Sequence, residues 1–236
     1  MIRAVTEGDL HHLRPLIENN YEQCIYIYLD LFYSGSSLSE YPAYYSSTDG
    51  IVEWLLMEVD DTAQIMVIDY TKLEELQVFI KNRGYKVVFG QSDIIHQLAE
   101  YLSYSKIVDG YIASLEKYNN KSLNPTYIPQ FIRKNFLEIA RLICSDQNLA
   151  AVNNVDALAI TLEKRSNLHY GRNCVIFENG LIVSHAATYA ESDRIAVIGG
   201  VITEKTHRGK GYAKSVVSKL CEQLCAEGKK LYLFYY

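Results

Sequence analysis

The sequence predicts an α/β chain with mixed sheets, laid out as two halves that repeat one order of elements. Three observations carry this expectation. Short apolar runs of strand length alternate with amphipathic helical stretches. An Asn-Gly turn, Asn179-Gly180, joins two β-like runs late in the chain. A glycine-bearing basic turn separates a strand from a helix, in the second half alone. With 236 residues, 49% hydrophobic and 22% charged, the chain can bury one large or two small cores.

In the first half, residues 1–120, Ile2–Val5 reads as a short strand, and Thr6-Glu7-Gly8-Asp9 opens a helix to about Asn20. A polar stretch from Ser34 to Gly50 precedes two β-rich runs, Ile51–Val59 and Gln64–Tyr70, joined at Asp60-Asp61-Thr62. A helix (Lys72 to Asn82), a strand (Lys86–Phe89) and a helix (Ser92 to Tyr104) complete it. Asn119-Asn120-Lys121-Ser122-Leu123-Asn124-Pro125 is polar and ends in proline, so the domain boundary is placed there.

The second half, 121–236, is expected to open with helices over Phe131 to Cys144 and Val155 to Leu168. A hairpin follows, Asn173–Phe177 and Ile182–Ala190, then a turn at Glu191-Ser192-Asp193-Arg194 and a strand from Ile195. The helix Gly211 to Glu227 carries Val216, Val217, Leu220, Cys221, Leu224 and Cys225 on one face and stops at Gly228. Leu231 to Tyr235 closes as a short strand.

Between strand and helix lies Thr203-Glu204-Lys205-Thr206-His207-Arg208-Gly209-Lys210-Gly211-Tyr212-Ala213. Amides at a helix start lack intrahelical partners and sit at the positive end of the dipole, so they favour phosphate. Gly209 and Gly211 remove the Cβ atoms that would hold a ligand off the main chain. Lys205, Arg208, Lys210 and Lys214 add positive charge in a chain whose net charge is −5. A Walker A loop is excluded because Glu204 stands where its first glycine is needed, and a dinucleotide fingerprint because Lys214 stands at its third.

The hexapeptide Arg208 to Ala213, R-x-x-G-x-A, resembles the acyl-CoA-binding motif of the GCN5-related N-acetyltransferases (GNAT), and Gly199-Gly200-Val201-Ile202-Thr203 resembles that family's fourth strand. The whole chain looks like a bacterial FR47-like subgroup of tandem GNAT halves. In that likeness the first half is a degenerate copy, and the second carries the CoA site but lacks its C-terminal helix and strands. The resemblance implies that Val201, Ile202 and Thr203 lend backbone groups to the thioester arm, with the Val201 N–H as oxyanion donor. It also implies that Arg208, Gly209, Lys210, Gly211, Tyr212, Ala213 and Lys214 hold the pyrophosphate. Acetyl-CoA would be the co-substrate and a primary amine the acceptor.

For the base, Glu191 and His185 lie on or just after the long strand near the expected cleft. Each has a plainer alternative, a solvated turn carboxylate for Glu191 and a satisfied structural histidine for His185. The family's acid, usually a tyrosine after the fifth strand, would fall beyond Tyr236. The first half, without a basic glycine turn, is expected to bury surface such as Trp54, Leu55 and Leu56 against the second and shape the acceptor side.

No apolar run reaches membrane length and no signal peptide opens the chain, so it reads as cytoplasmic. Five cysteines without paired C-x-x-C units argue against a metal, and Cys221 and Cys225 read as buried apolar residues. The acidic balance argues against nucleic acid, and twenty tyrosines lack the interleaved cations of a base-stacking surface. A homodimer is left open. The alternatives to an N-acetyltransferase are an acyl-CoA sensor without turnover and an interaction protein.

Overall fold

The computed structural model describes residues 1–118, 127–147 and 154–235. The chain forms two compact units, Met1–Gly110 and Tyr111–Tyr236.

The first unit is a five-stranded sheet, in order β1-β2-β3-β4-β5. Strands β1 (Ile2–Ala4), β2 (Ala43–Thr48), β3 (Ile51–Val59) and β4 (Thr62–Val67) pair antiparallel, and β5 (Val87–Phe89) joins β4 in parallel. Helices α1 (Leu10–Asn19) and α2 (Ile25–Phe32) precede β2, while α3 (Leu73–Arg83) and α4 (Ser92–Ala99) flank β5. Just before α1, the Asp9 side chain accepts from the Thr6 amide at 2.8 Å and closes the turn that leads into the helix. Gly84, at φ 68, ends α3 in the left-handed conformation that a side chain would disfavour.

Two elements of this unit escape the sequence reading. α2 is apolar nearly all round (IYIYLDLF), so it shows no one-sided stripe. β2 lies inside the stretch expected to be irregular, its Ser46 and Ser47 hiding the alternation. For Trp54 and Leu56 the expectation that they face the second half is corrected. All three are fully buried, and Trp54 and Leu56 pack with Leu76 and Ile80 of α3 and Ile94 and Leu98 of α4.

The second unit is a six-stranded sheet in the order β6-β11-β10-β9-β8-β7. Its strands are β6 (Tyr111–Leu115), β7 (Gln130–Ile132), β8 (Asn173–Glu178), β9 (Leu181–Glu191), β10 (Ile195–Thr203) and β11 (Lys230–Tyr235). Helices α5 (Phe136–Ile143) and α6 (Val155–Asn167) come before β8, and α7 (Tyr212–Ala226) links β10 to β11. Because β10 and β11 are parallel, that link must be a crossover, and a helix supplies it. Val216, Leu220 and Leu224 of α7 pack on Cys174, Ile176, Val183 and Ala196, each apolar side chain adding roughly 1.5–3 kcal/mol on burial. Ile139, Ala140 and Ile143 of α5 and Leu162 of α6 pack with Val175, Ile182 and Ile202 in a separate cluster.

Asn179 (φ 52) and Gly180 (φ 81) both take positive φ, the conformation of a tight hairpin turn. Phe131, expected to begin a helix, instead sits in β7 and pairs with Cys174. The second unit also begins earlier than the expected boundary. β6 pairs antiparallel with β11, Tyr111 opposite Tyr235, so the chain enters this sheet upstream of the polar stretch at 119–125. That stretch lies outside the described residues, as does Tyr236. No described helix is long and apolar enough to cross a membrane.

Candidate active site at the β10–α7 turn

After β10 the chain makes a short 3-10 turn, Lys205–His207, capped by Glu204, whose side chain accepts from the Thr206 amide at 2.8 Å. Hydrogen bonds from Thr206, then from His207, hold the Glu204 carboxyl down at about 2. Gly209 (φ 81) and Gly211 (φ 86) bracket Lys210, and α7 starts at Tyr212. A Cβ on either glycine would have no neighbour within 4 Å, so open space faces the backbone. The first amides of α7, beside that space, lack intrahelical acceptors. These features fit a diphosphate.

The space belongs to a cleft of about 760 Å³ lined by Asp146, Val201, Ile202, Thr203, His207, Arg208, Gly209, Gly211, Tyr212 and Ala213. The structure thus brings the expected Val201–Thr203 segment and most of the basic turn to one cavity. Arg208 Nε donates to the Thr203 carbonyl at 3.0 Å, and its Nη2 lies 3.5 Å from Asp146 Oδ2. The guanidinium is half exposed, with donors left for an anion. Lys210 Nζ lies 3.7 Å from Glu178 Oε2, and Lys214 is exposed on the first turn of α7. Tyr212 differs from the rest. Its ring is buried edge-on to Tyr127, its hydroxyl donates to Glu178 at 3.0 Å, and burial followed by the Glu178 contact pushes its pKa up. It therefore anchors the helix start, and only its main chain is available to a ligand.

β10 is irregular where the resemblance requires it. Its pairing with β11 runs from Ile195 to Ile198 and then stops. Against β9, Gly199 faces Ala187 and Ile202 faces His185, so β10 holds one residue more than β9 across this span. Val201 is 37% exposed, and outside Gly199–Val201 the strand is buried.

Two expected site residues sit elsewhere. His185 is fully buried, with Nδ1 2.8 Å from the Gly200 carbonyl and Nε2 3.0 Å from the Asn173 side chain. Burial depresses its pKa to about 4. Both ring nitrogens are engaged, and the ring serves the strand. Glu191, 5% exposed, receives a two-pronged contact from Arg172 (2.7 and 2.6 Å), plus Lys229 Nζ at 2.7 Å and the Thr188 hydroxyl. Its oxygens hold the far end of β9 to the α6–β8 turn and to the C-terminal end of α7, and both are engaged by these donors. Neither residue lines the cleft. Sequence reading placed them by chain proximity and could not see Arg172 and Lys229 converge from 19 and 38 residues away.

Asp146, His207 and Tyr189 were missed. Asp146 reaches the cleft from beyond α5 and carries no local signal. His207 bridges Glu204 (Nδ1, 2.7 Å) and Glu178 (Nε2, 3.0 Å), tying the turn to the β8–β9 hairpin. Tyr189 packs its ring against Gly199 and Gly200 from β9.

Residues 176–235 match the family described as FR47-like protein. No curated protein matches the chain. Among solved structures it is similar to a tandem GNAT protein from the clavulanic acid biosynthesis pathway, at TM-score 0.67 and 10% identity over 100% of this chain and 90% of that one. A GCN5-related N-acetyltransferase from Sphaerobacter thermophilus gives TM-score 0.63 at 14% identity, covering 100% and 86%. An acetyltransferase of the GNAT family from Colwellia psychrerythraea gives TM-score 0.59 at 15%, covering 100% and 89%. At such identities these likenesses establish the fold.

Proposed function

We propose that this chain, of GNAT fold and FR47-like over residues 176–235, is an N-acetyltransferase that moves an acetyl group from acetyl-CoA to a primary amine. The amine belongs to a small molecule or to an exposed amino group. One observation carries the reading: a helix N-terminus with two open, positive-φ glycines and flanking cations adjoins a bulged strand in the same cleft. Arg208, Gly209, Lys210 and Gly211 hold the diphosphate with the main chain of Tyr212 and Ala213, and Lys214 adds charge. The backbones of Val201, Ile202 and Thr203 lie along the thioester arm, and the Val201 N–H stabilises the oxyanion. Acetyl-CoA supplies the activated acyl group; the chain binds, orients and polarises it. Five cysteines outside any disulfide suit a reducing cytoplasm.

A specific observation favours a second reading. With Glu191 and His185 committed to structural contacts, the described cleft offers neither expected base, as in a binding protein without turnover. Titration with acetyl-CoA by calorimetry tests the site, and release of free thiol across a panel of primary amines separates the two readings. Binding with thiol release supports the enzyme, binding without release the sensor, and no binding contradicts both.

A further inference from the structure

We infer that Tyr189 and His185 are positioning residues that hold the β10 bulge in shape and so aim the Val201 amide into the cleft. The inference rests on the acyl-CoA reading above and adds to it the residues that fix the thioester end of the site.

Two irregularities, one per strand, cancel each other. Val197 faces Ala190 and Ile198 faces Thr188, so β9 carries one extra residue, and that residue is Tyr189. Gly199 faces Ala187 and Ile202 faces His185, so β10 carries the compensating extra residue within Gly200-Val201. Register is restored beyond both, which keeps the hydrophobic faces of the strands in phase.

The Tyr189 ring fills the space that the two bulges create. A Cβ on Gly199 would fall 2.6 Å from Tyr189 Cδ2 and Cε2, and one on Gly200 3.2 Å from Tyr189 Oη and 3.2 Å from His185 Cε1. The glycine pair is therefore required by these two side chains, independently of any ligand. Gly200 takes φ 59, a conformation that a side chain would strain. His185 fixes its orientation by bonding the Gly200 carbonyl at 2.8 Å, and Asn173 holds the other ring nitrogen at 3.0 Å. Arg165 lies over the Tyr189 ring, 5.2 Å from its centroid. With the Gly200 carbonyl turned back toward His185, the peptide that joins Gly200 to Val201 has its N–H directed away from β9. β11 has already parted from β10 at Ile198, so that direction is the cleft.

The test reads the thioester carbonyl directly and needs no acceptor. Acetyl-CoA labelled with ¹³C at the carbonyl is bound to the full chain, and its stretching band is recorded by isotope-edited infrared spectroscopy. In the wild type the band lies below its frequency in water, because the Val201 amide polarises the carbonyl. Tyr189→Leu returns most of that shift, and Tyr189→Phe, which removes only the oxygen beside Gly200, returns a smaller part. Affinity for CoA without the acetyl group stays within about threefold in both, since the cradle is not touched. A band unmoved in both variants overturns the inference and leaves the acyl-CoA reading standing. So does loss of CoA binding in step with the band, which would mean general disruption. A wild type that binds no CoA defeats the acyl-CoA reading and this inference with it.

Discussion

The turn after β4 in the first unit and the turn after β10 in the second begin with the same device and then part. Asp69 accepts from the Thr71 amide at 2.9 Å and caps the 3-10 turn Tyr70–Lys72. Glu204 accepts from the Thr206 amide at 2.8 Å and caps the 3-10 turn Lys205–His207. From there the first unit enters α3 at Leu73, with Glu74 and Glu75 in the first turn. Those carboxylates complement the helix dipole and repel an anion. The second unit interposes Arg208-Gly209-Lys210-Gly211 before Tyr212. The strands differ too. β3 and β4 pair without a register shift from Trp54–Val67 to Val59–Thr62, and Gly90 lies close against Ile65 of β4. β10 bulges and exposes Val201. The comparison teaches that four residues and a bulged strand separate the glycine-bearing basic turn of the second unit from its acidic counterpart in the first.

The largest effect expected from breaking this difference is at Gly211. Gly211→Val places a branched side chain in the space over the turn and forces it to φ 86, so acetyl-CoA binding should fall at least ~100-fold, about 2.7 kcal/mol, while helix content stays. Calorimetry beside circular dichroism checks both halves of that statement. Retained affinity would remove the turn from the site.

Comparable in size is an acid sensitivity that His185 gives to the second unit. His185 titrates near 4 when folded against about 6.5 when unfolded, so the unfolded chain takes up the proton first as pH falls. The buried ring contributes its stability in full above pH 6.5 and loses it progressively toward pH 4, ~3 kcal/mol in all. The first unit holds no buried histidine: His11, His12 and His96 are all exposed. Hydrogen exchange at pH 7 and pH 5, resolved by unit, reads the difference. No loss in the second unit would contradict it.

Smaller changes should follow from the cations. Arg208→Ala should weaken CoA by about 1–3 kcal/mol, and Lys210→Ala by no more than that, since Glu178 already shares its charge. If either side chain reaches the 3′-phosphate, its loss weakens CoA more than dephospho-CoA. Unchanged affinity in both variants would make these solvated surface charges.

Much of this contrast is legible in the sequence because its signals are local. The Asn179-Gly180 turn, the one-sided stripe of α7 and the glycines of the cradle all follow from a few neighbouring residues. What was hidden depends on distant partners. β6 is a strand because β11 pairs with it, Leu115 opposite Leu231, and nothing within Tyr111–Leu115 announces that. Glu191 looks like an available base until Arg172 and Lys229 arrive from other elements. Gly199 and Gly200 read as room for a ligand, whereas the atoms that need the room belong to Tyr189 and His185.

The central claim is that one unit of this chain is built to hold an acyl-CoA and the other is not. Its most direct test is the stoichiometry of CoA on the intact chain by calorimetry, with Gly211→Val as the paired control. The account predicts one molecule bound per chain and none in the variant; two per chain, or one that survives the substitution, would contradict it.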